Sequence, residues 1–290
     1  MENRDIRELG ILFQFVDFMR FGHFETEDNL KVTFEDRTSK KVVTYNNLYE
    51  AFSKYKWNKN DYEKTKIKLD DVSCQLKVAF KDNNEKEFIE ACKEILKWGN
   101  VKNNHTIEKL SDPKFFEFVK KLDSIWHPRE NVNDILTLIK EQFQDQTQVF
   151  SNAGFTKIYS LLFDNWVIYD SRVAAGLQYL ILLFMEKYEH QDIPSLLNIA
   201  SPPSRGDKTG DYRTISLFNK TYSKSLIHLE SNVIANYILK QYFNNNTKTL
   251  FKGNDRLRQL EAALFMIGYD LSDNVEKLNI KVNLKKKGSL

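Results

Sequence analysis

The middle of the chain places one lysine and one aspartate, thirteen residues apart, at two points where helices are expected to begin. Lys157 follows the turn-forming residues 152–156, and Asp170 precedes residues 173–184, whose apolar side chains recur at helical spacing. A helix N-terminus presents backbone N–H groups without intrahelical partners, and these suit a phosphate or another anion. The two polar residues therefore mark a candidate site within mostly apolar sequence.

Each of these residues also has a plainer explanation. Asp170 directly before an apolar helical face is typical of an N-cap, although capping and catalysis do not exclude each other. Lys157 in a first helical turn is unfavourable with the helix dipole, so a lysine kept only for solubility is expected at the other end. Arg172 either pairs with Asp170, holds a phosphate or extends into solvent. The residue types alone leave these alternatives open.

Two short stretches of the segment 151–173 carry a resemblance to a known family. They are Gly154-Phe155-Thr156-Lys157 and Ile168-Tyr169-Asp170-Ser171-Arg172-Val173. They resemble the catalytic part of the helix–hairpin–helix DNA glycosylases, particularly the 8-oxoguanine DNA glycosylase-like branch, as in a divergent bacterial anti-phage glycosylase. In that family a Gly-x-Gly-x-Lys hairpin leads into a helix, and a Val-Asp-x-x-Val segment follows. The chain departs from this pattern at Thr156, where the family often has Gly or Pro, and at Ala153-Gly154, which replaces the usual glycines.

The resemblance implies a DNA glycosylase, which flips a damaged or modified base out of double-stranded DNA, at a cost of a few kcal/mol, and excises it. It implies that Lys157 attacks C1′ of the flipped nucleotide, and that Asp170 deprotonates the lysine or stabilises positive charge on the sugar. An amine attacks only when it is neutral, and an apolar site favours that form through desolvation. The resulting Schiff base can lead to strand cleavage. No cofactor and no metal is expected, and the setting is either repair or defence against phage DNA.

Further DNA contacts are expected from the hairpin and from the longest loop. Glycine in the hairpin is expected to allow a positive φ or a close approach to phosphate. The hairpin residues expected to bind DNA are Gly154, Thr156 and Arg172. Residues 201–214 have no apolar periodicity and hold basic residues among small ones, as phosphate-binding loops do, although a solvated loop is the alternative. The basic residues expected to bind DNA there are Arg205, Lys208 and Arg213.

A pocket for the extruded base is expected near the first of two tryptophans. The stretch from Trp98 to His105 places an indole beside a glycine and several amides at a helix end, where bases can be stacked and read. Gly99 is expected to cap that helix. The residues assigned to the pocket are Trp98, Asn100 and Trp126. The alternative for the tryptophan is that it closes the core beneath a loop.

The composition indicates a soluble helical protein. The 290 residues are 41% hydrophobic and 29% charged, and only 10 glycines and 5 prolines favour helices over a turn-rich β architecture. A net charge of +3 permits nucleic acid as a partner without requiring it. The two cysteines are too few for a disulfide framework or a zinc site, and no segment indicates targeting or membrane insertion. We expect a cytoplasmic monomer that does not bind membranes.

The predicted fold is mainly α, a helix–hairpin–helix glycosylase-like helical domain with a small β element near the N-terminus. Residues 1–84 are expected to form an α/β lobe packed on the core, in which residues 30–35 and 41–45 alternate as paired strands do. Residues 62–80 fit a strand or a helix. Residues 85–290 are expected to form the helical domain that contains the hairpin.

Two other functions remain open at the level of sequence. A DNA-binding module without catalysis needs the hairpin and the basic loops but not the lysine–aspartate pair. A helical adaptor needs neither, and would use the aromatic run of residues 9–19 to bind a protein partner.

Overall fold

The computed structural model describes residues 2–126, 130–145, 148–200, 215, 217, 218, 220, 224–244, 246 and 248–278. Twelve α-helices and one two-stranded antiparallel sheet are found in this part of the chain. The prediction of a mainly helical protein with a small β element near the N-terminus is confirmed.

The sheet lies in the first third of the chain, as the alternating pattern predicts. Its strands pair antiparallel, with Val32 opposite Tyr45, and a turn closed by Asp36 joins them. The elements up to residue 98 are α1 (Glu2–Phe21), β1 (Val32–Glu35), β2 (Val42–Tyr45), α2 (Leu48–Ser53), α3 (Tyr62–Lys81) and α4 (Glu85–Trp98).

Residues 62–80, which fit a strand or a helix by sequence, belong to helix α3. Asp61 caps this helix by accepting a hydrogen bond from the Lys64 backbone N–H at 2.9 Å. Ile67 and Val78, which make the sequence look alternating, are 71% and 51% exposed. The buried positions recur every three or four residues instead, at Tyr62, Thr65, Leu69, Val72, Leu76 and Ala79.

The remaining helices form the larger part of the core. They are α5 (Asn104–Glu108), α6 (Pro113–Trp126), α7 (Val132–Gln142), α8 (Phe155–Leu162), α9 (Ser171–Lys187), α10 (Ser225–Phe243), α11 (Arg256–Ile267) and α12 (Ser272–Glu276). All eight residues of α8 are buried, so this short helix lies at the centre. Because α7 ends at Gln142, the turn before α8 is not entered directly from an α-helix among the described residues 143–145 and 148–154.

The end of α11 approaches the start of α9 at backbone distance. A Cβ atom on Gly268 would lie 1.9 Å from the Arg172 carbonyl oxygen, and one on Gly176 would lie 2.5 Å from the Leu264 carbonyl oxygen. Gly268, which looks like a helix cap in the sequence, has φ −78° and needs no left-handed conformation. Its small size instead lets α11 fix the first turn of α9, immediately after Asp170.

The N-terminal elements pack on the helices of the second half. The Asn274 side chain bonds both the N–H and the carbonyl of Thr33 in β1, at 3.1 and 2.9 Å. Helix α1 buries Leu12, Phe15 and neighbouring residues in the common core, with Phe15 edge-on to Phe184 at 5.5 Å. The aromatic run of α1 is thus occupied largely by internal packing. Across the described ranges, no helix combines the length and the apolar character that crossing a membrane requires.

Candidate functional site

The fold brings Lys157 and Asp170 together. The Lys157 Nζ atom lies 4.0 Å from the Asp170 Oδ2 atom, and their side chains are 8% and 18% exposed. This distance allows an ion pair but is too long for a direct hydrogen bond. The lysine amine instead donates to the Ala153 carbonyl oxygen at 3.0 Å. Two charged groups that the chain separates by thirteen residues therefore share one largely covered site.

Asp170 uses its two carboxylate oxygens differently. Oδ1 accepts hydrogen bonds from the backbone N–H groups of Arg172 and Val173, at 3.0 and 3.1 Å, and so caps α9. Oδ2 is the atom that faces the lysine amine. One carboxylate thus caps a helix with one oxygen and faces an amine with the other.

The Lys157 stem packs against the end of α4. A Cβ atom on Gly99 would lie 2.5 Å from Lys157 Cδ and 2.8 Å from Cε, so a larger residue there would force the lysine stem to shift. Gly99 itself has φ −69°, and Asn100 takes the left-handed conformation with φ 51°. The Asn100 and Val101 N–H groups bond back to the carbonyls of residues 97 and 96, as in a Schellman motif. The prediction that Gly99 caps this helix is confirmed, although the left-handed conformation falls on Asn100.

The N-terminus of α8 does not offer the free N–H groups that the sequence suggests. The Asn152 side-chain oxygen accepts from the N–H groups of Gly154 and Phe155 at 2.8 and 3.1 Å. The Thr156 N–H bonds the Asn152 carbonyl, and the Lys157 N–H bonds the Gly154 carbonyl. An anion at this helix end would have to displace these internal bonds.

Two residues expected to contact DNA at the hairpin have structural roles. Gly154 has φ −72°, so it needs no positive φ, and a Cβ atom there would lie 2.9 Å from Thr106 Cγ2. Thr156 is fully buried, and its hydroxyl oxygen accepts from the Tyr169 N–H at 3.1 Å. Because both residues are buried, neither is accessible to a phosphate.

Arg172 lies against two aromatic rings beside the aspartate. Its guanidinium carbon is 4.4 Å from the centre of the Phe265 ring and 4.6 Å from that of Tyr269. Such stacking orients a guanidinium through cation–π attraction. The side chain remains half-buried, so the structure holds Arg172 at the edge of the candidate site.

The predicted base-pocket residues are not all in one place. Trp98 is half-buried and lines a cleft of about 380 Å³ with Asn58 and Asn60, while Asn100 is exposed at the end of α4. Trp126 is only 7% exposed, and its indole N–H donates to the Asp164 carbonyl oxygen at 3.0 Å. Its ring stands edge-on to Trp166 at 4.8 Å, in the core. The other expected DNA contacts, Arg205, Lys208 and Arg213, lie outside the described residues.

The extended segment Trp166–Tyr169, which leads into Asp170, is held by side chains instead of a neighbouring strand. Asn232 of α10 accepts from the Trp166 indole N–H at 2.6 Å, and Asn236 accepts from the Val167 N–H at 2.7 Å. Glu261 of α11 accepts from the Ile168 N–H through Oε2 at 2.8 Å. The Thr156 hydroxyl of α8 accepts from the Tyr169 N–H. Side chains of three helices, α8, α10 and α11, thereby provide hydrogen-bond partners for the backbone of this buried segment.

His228 completes this set of contacts. Its Nε2 lies 3.3 Å from the Tyr169 carbonyl oxygen and its Nδ1 lies 2.6 Å from the Ser151 Oγ atom. A carbonyl only accepts, so Nε2 carries the proton and Nδ1 accepts from the serine hydroxyl. Burial lowers the pKa of His228 to about 3. The hydrogen bond to the Tyr169 carbonyl raises this pKa by less than burial lowers it, and the nearby Lys157 charge lowers it further. The imidazole is therefore neutral at physiological pH.

His228 should make the protein sensitive to acid. The unfolded chain binds a proton near pH 6.5 and the folded chain only near pH 3, so stability falls as pH falls through this window. Between pH of about 7 and about 4 we expect a loss of about 3 kcal/mol in unfolding free energy from this residue. The free energy of unfolding of the His228→Gln variant, measured by urea titration, should fall less over that pH range. His23→Gln, whose parent side chain is 63% exposed, is the control, and equal pH dependence in all three proteins would contradict the assignment.

Glu261 is the second ionisable group that the sequence did not single out. Burial raises its pKa to about 7, against the opposing effects of Arg258, the Ile168 N–H bond and Lys157, while Asp170 adds to the rise. Because the folded state disfavours the ionised form, the contribution of Glu261 to stability falls as pH rises from about 4.5 to about 7. Its sign is thus opposite to that of His228.

The residues missed by the sequence share one property. Asn232, Asn236 and Glu261 are polar side chains on the buried faces of their helices, with both asparagines fully buried and Glu261 7% exposed. In hindsight, each interrupts an apolar helical face, which is a signal for a buried polar contact but not for its partner. Among the described residues, no group of three His, Cys, Asp or Glu side chains is arranged to hold a metal ion.

Comparison with known proteins does not add to this description, since no protein-family model, no curated protein and no solved structure matches the chain.

Proposed function

We propose that the protein is a DNA glycosylase that excises a damaged or modified base through Lys157 and Asp170. The observation that carries this proposal is the 4.0 Å separation of the Lys157 amine from Asp170 Oδ2, in a site where the other aspartate oxygen caps α9. The cap fixes the carboxylate, so its free oxygen stays directed at the amine. This is what a nucleophile with an adjacent proton acceptor requires.

The chemistry follows from the two side chains. Lys157 gives a proton to Asp170, turns from the Ala153 carbonyl and attacks C1′ of the extruded nucleotide. The bond between C1′ and the base breaks, and the base leaves with the bonding electron pair. Alternatively, a Lys157 amine that is already neutral attacks without this transfer, and Asp170 stays a carboxylate that stabilises the positive charge developing on the sugar. The covalent product can rearrange to a Schiff base, which makes strand cleavage at the abasic site accessible.

A surface suited to the DNA backbone adjoins the lysine. Residues 97–107 contain Lys97 and Lys102 and no aspartate or glutamate, and Asn100 and residues 102–105 are exposed. This loop touches the site at two points, since Gly99 packs on the Lys157 stem and Thr106 lies beside Gly154. Amides and lysines are suited to phosphate and sugar contacts, and the nearest carboxylates along the chain, Glu94 and Glu108, lie just outside this stretch. The loop therefore supplies one edge of the proposed DNA-binding surface.

The cleft beside Trp98 is the proposed place for the extruded base. Its volume of about 380 Å³ accommodates a purine, and the Asn58 and Asn60 side chains offer amide groups to a base edge. The Trp98 ring lies 6.3 Å from that of Trp57, which in turn lies 5.6 Å from Phe265. These rings connect the cleft to the aromatic surface on which Arg172 stacks.

The proposal is tested by base release from a panel of duplexes. The panel should contain oligonucleotides with oxidised, alkylated and deaminated bases, together with genomic DNA from phages that carry modified cytosines. We expect free base from at least one member, and DNA affinity that falls steeply with salt, by roughly 0.9 log units per neutralised phosphate for each tenfold rise. Salt-sensitive binding without base release from any member would favour a DNA-binding module, and absence of binding would favour neither.

A further inference from the structure

We infer that Arg258 and Glu261 of α11 are positioning residues that set the distance between Lys157 and Asp170, an assignment that rests on the proposed function. The two residues lie three positions apart and so on one face of the helix. Arg258 contacts helix α8, which carries Lys157, and Glu261 contacts the extended segment that leads into Asp170. We call them the α11 bracket.

Arg258 holds the helix that carries the lysine. Its guanidinium donates to the Ser160 carbonyl oxygen at 2.6 Å, three residues after Lys157. This carbonyl belongs to the last turn of α8, where carbonyl groups lack intrahelical partners and a positive charge is favourable. The neighbouring carbonyl groups of that turn also have hydrogen-bond partners. The Ser73 hydroxyl donates to the Leu161 carbonyl oxygen at 2.6 Å, and the Phe163 N–H donates to the Tyr159 carbonyl oxygen at 2.8 Å.

Glu261 holds the segment that carries the aspartate. Its Oε2 accepts from the Ile168 N–H at 2.8 Å, two residues before Asp170. A buried backbone N–H without a partner is costly, so the Glu261 acceptor stabilises the segment in this position. The side chain is 7% exposed and is not part of the Lys157–Asp170 contact itself.

The same helix also fixes the element that follows the aspartate. The close approach of Gly268 to the Arg172 carbonyl places the end of α11 against the first turn of α9. Helix α11 therefore contacts α8 after the lysine, the extended segment before the aspartate, and α9 after it. A rigid element that touches all three is in a position to determine the 4.0 Å separation.

The first arm of the test needs no DNA. We expect Glu261→Ala to speed amide hydrogen exchange at Ile168, measured by NMR, while Glu261→Gln keeps an oxygen acceptor and restores protection. Gln259→Ala is the matched control on α11, since Gln259 bonds Lys252 and Asp255 instead. Unchanged exchange at Ile168 in Glu261→Ala would overturn the bracket whether or not the protein releases a base.

The second arm measures catalysis. A displacement of the reacting groups by about 1 Å can cost about 100-fold, so we expect Glu261→Ala and Arg258→Ala each to lower kcat about 10- to 100-fold. KM and DNA affinity should stay within about twofold, because neither residue is placed on the DNA-binding surface. Glu261→Gln should recover most of the rate.

The outcomes separate the two proposals. Equal loss of kcat in Glu261→Gln and Glu261→Ala, or a normal kcat in Glu261→Ala with fast exchange at Ile168, would overturn the positioning role. If Glu261→Ala does not fold, the kcat values of Glu261→Gln and Arg258→Ala test the positioning role instead. A normal kcat in a folded Arg258→Ala variant would count against the α11 bracket. A wild-type protein that releases no base overturns the proposed function, and the exchange arm still stands by itself.

Discussion

Lys157→Ala is expected to abolish the covalent adduct that borohydride traps between the protein and DNA containing the excised base. Borohydride reduces a Schiff base to a stable amine, so an adduct requires a protein amine bonded to the sugar. Lys157 is the amine that lies within 4.0 Å of a carboxylate in the candidate site. The adduct should be visible as a protein band of increased mass carrying labelled DNA, and peptide mapping should place the label on residue 157.

Two controls make this result specific. Lys157→Gln keeps most of the stem against Gly99 and a donor for the Ala153 carbonyl, so it should retain stability while losing the adduct. Lys93→Ala removes another helix lysine paired with a carboxylate, at 2.7 Å from Glu90 on the surface of α4, and should leave the adduct unchanged. DNA affinity should be similar in all three variants. An adduct that persists in both Lys157 variants would show that the nucleophile is another group.

Asp170→Asn is expected to reduce base release about 1,000-fold while the fold remains intact. Asparagine caps helices as well as aspartate does, so the Arg172 and Val173 N–H groups keep their acceptor. The charge that faces Lys157 is lost, however, and a positioned proton acceptor typically contributes 10²- to 10⁴-fold. Single-turnover rates of base release and thermal unfolding, measured on the same preparation, separate these two effects.

The matched control for this substitution is a second aspartate at a helix start. Asp61 caps α3 by accepting from the Lys64 N–H at 2.9 Å, and its side chain is 58% exposed. Asp61→Asn should therefore leave both stability and base release unchanged. Asp170→Ala should lose activity as Asp170→Asn does and lose about 1 kcal/mol of stability in addition, because the cap is removed. Near-normal activity in Asp170→Asn would identify the aspartate as a cap alone.

Much of the helical architecture is local and was open to prediction. The starts of α8 and α9 are signalled by Asn152 and Asp170, whose side chains do accept from the first backbone N–H groups of these helices. The sheet pairs as its alternating residues indicate. These features depend on contacts within a few residues, and the sequence displays both partners.

Glycines show where such local reasoning ends. Gly99 and Gly268 cap their helices, as their positions in the sequence indicate, with φ values of −69° and −78°. Gly154, which was expected to need a positive φ or a close approach to phosphate, has φ −72°. Each is small because a distant group would otherwise overlap with a Cβ atom: the Lys157 stem, Thr106 and the Arg172 carbonyl. The residue type is visible in the sequence, whereas the neighbour that requires it is supplied by another element.

By itself, the sequence determined that the protein is mainly helical, that Lys157 and Asp170 lie at helix starts, and that an aspartate caps α9. Only the tertiary structure decided that the amine and the carboxylate are 4.0 Å apart and that Asn232, Asn236, His228 and Glu261 hold the segment between them. The physical reason is that capping and periodicity arise from neighbouring residues. The buried hydrogen bonds from Trp166–Tyr169 to α10 and α11 instead join residues 59 to 93 positions apart, and such pairs cannot be recognised in the sequence before the helices pack.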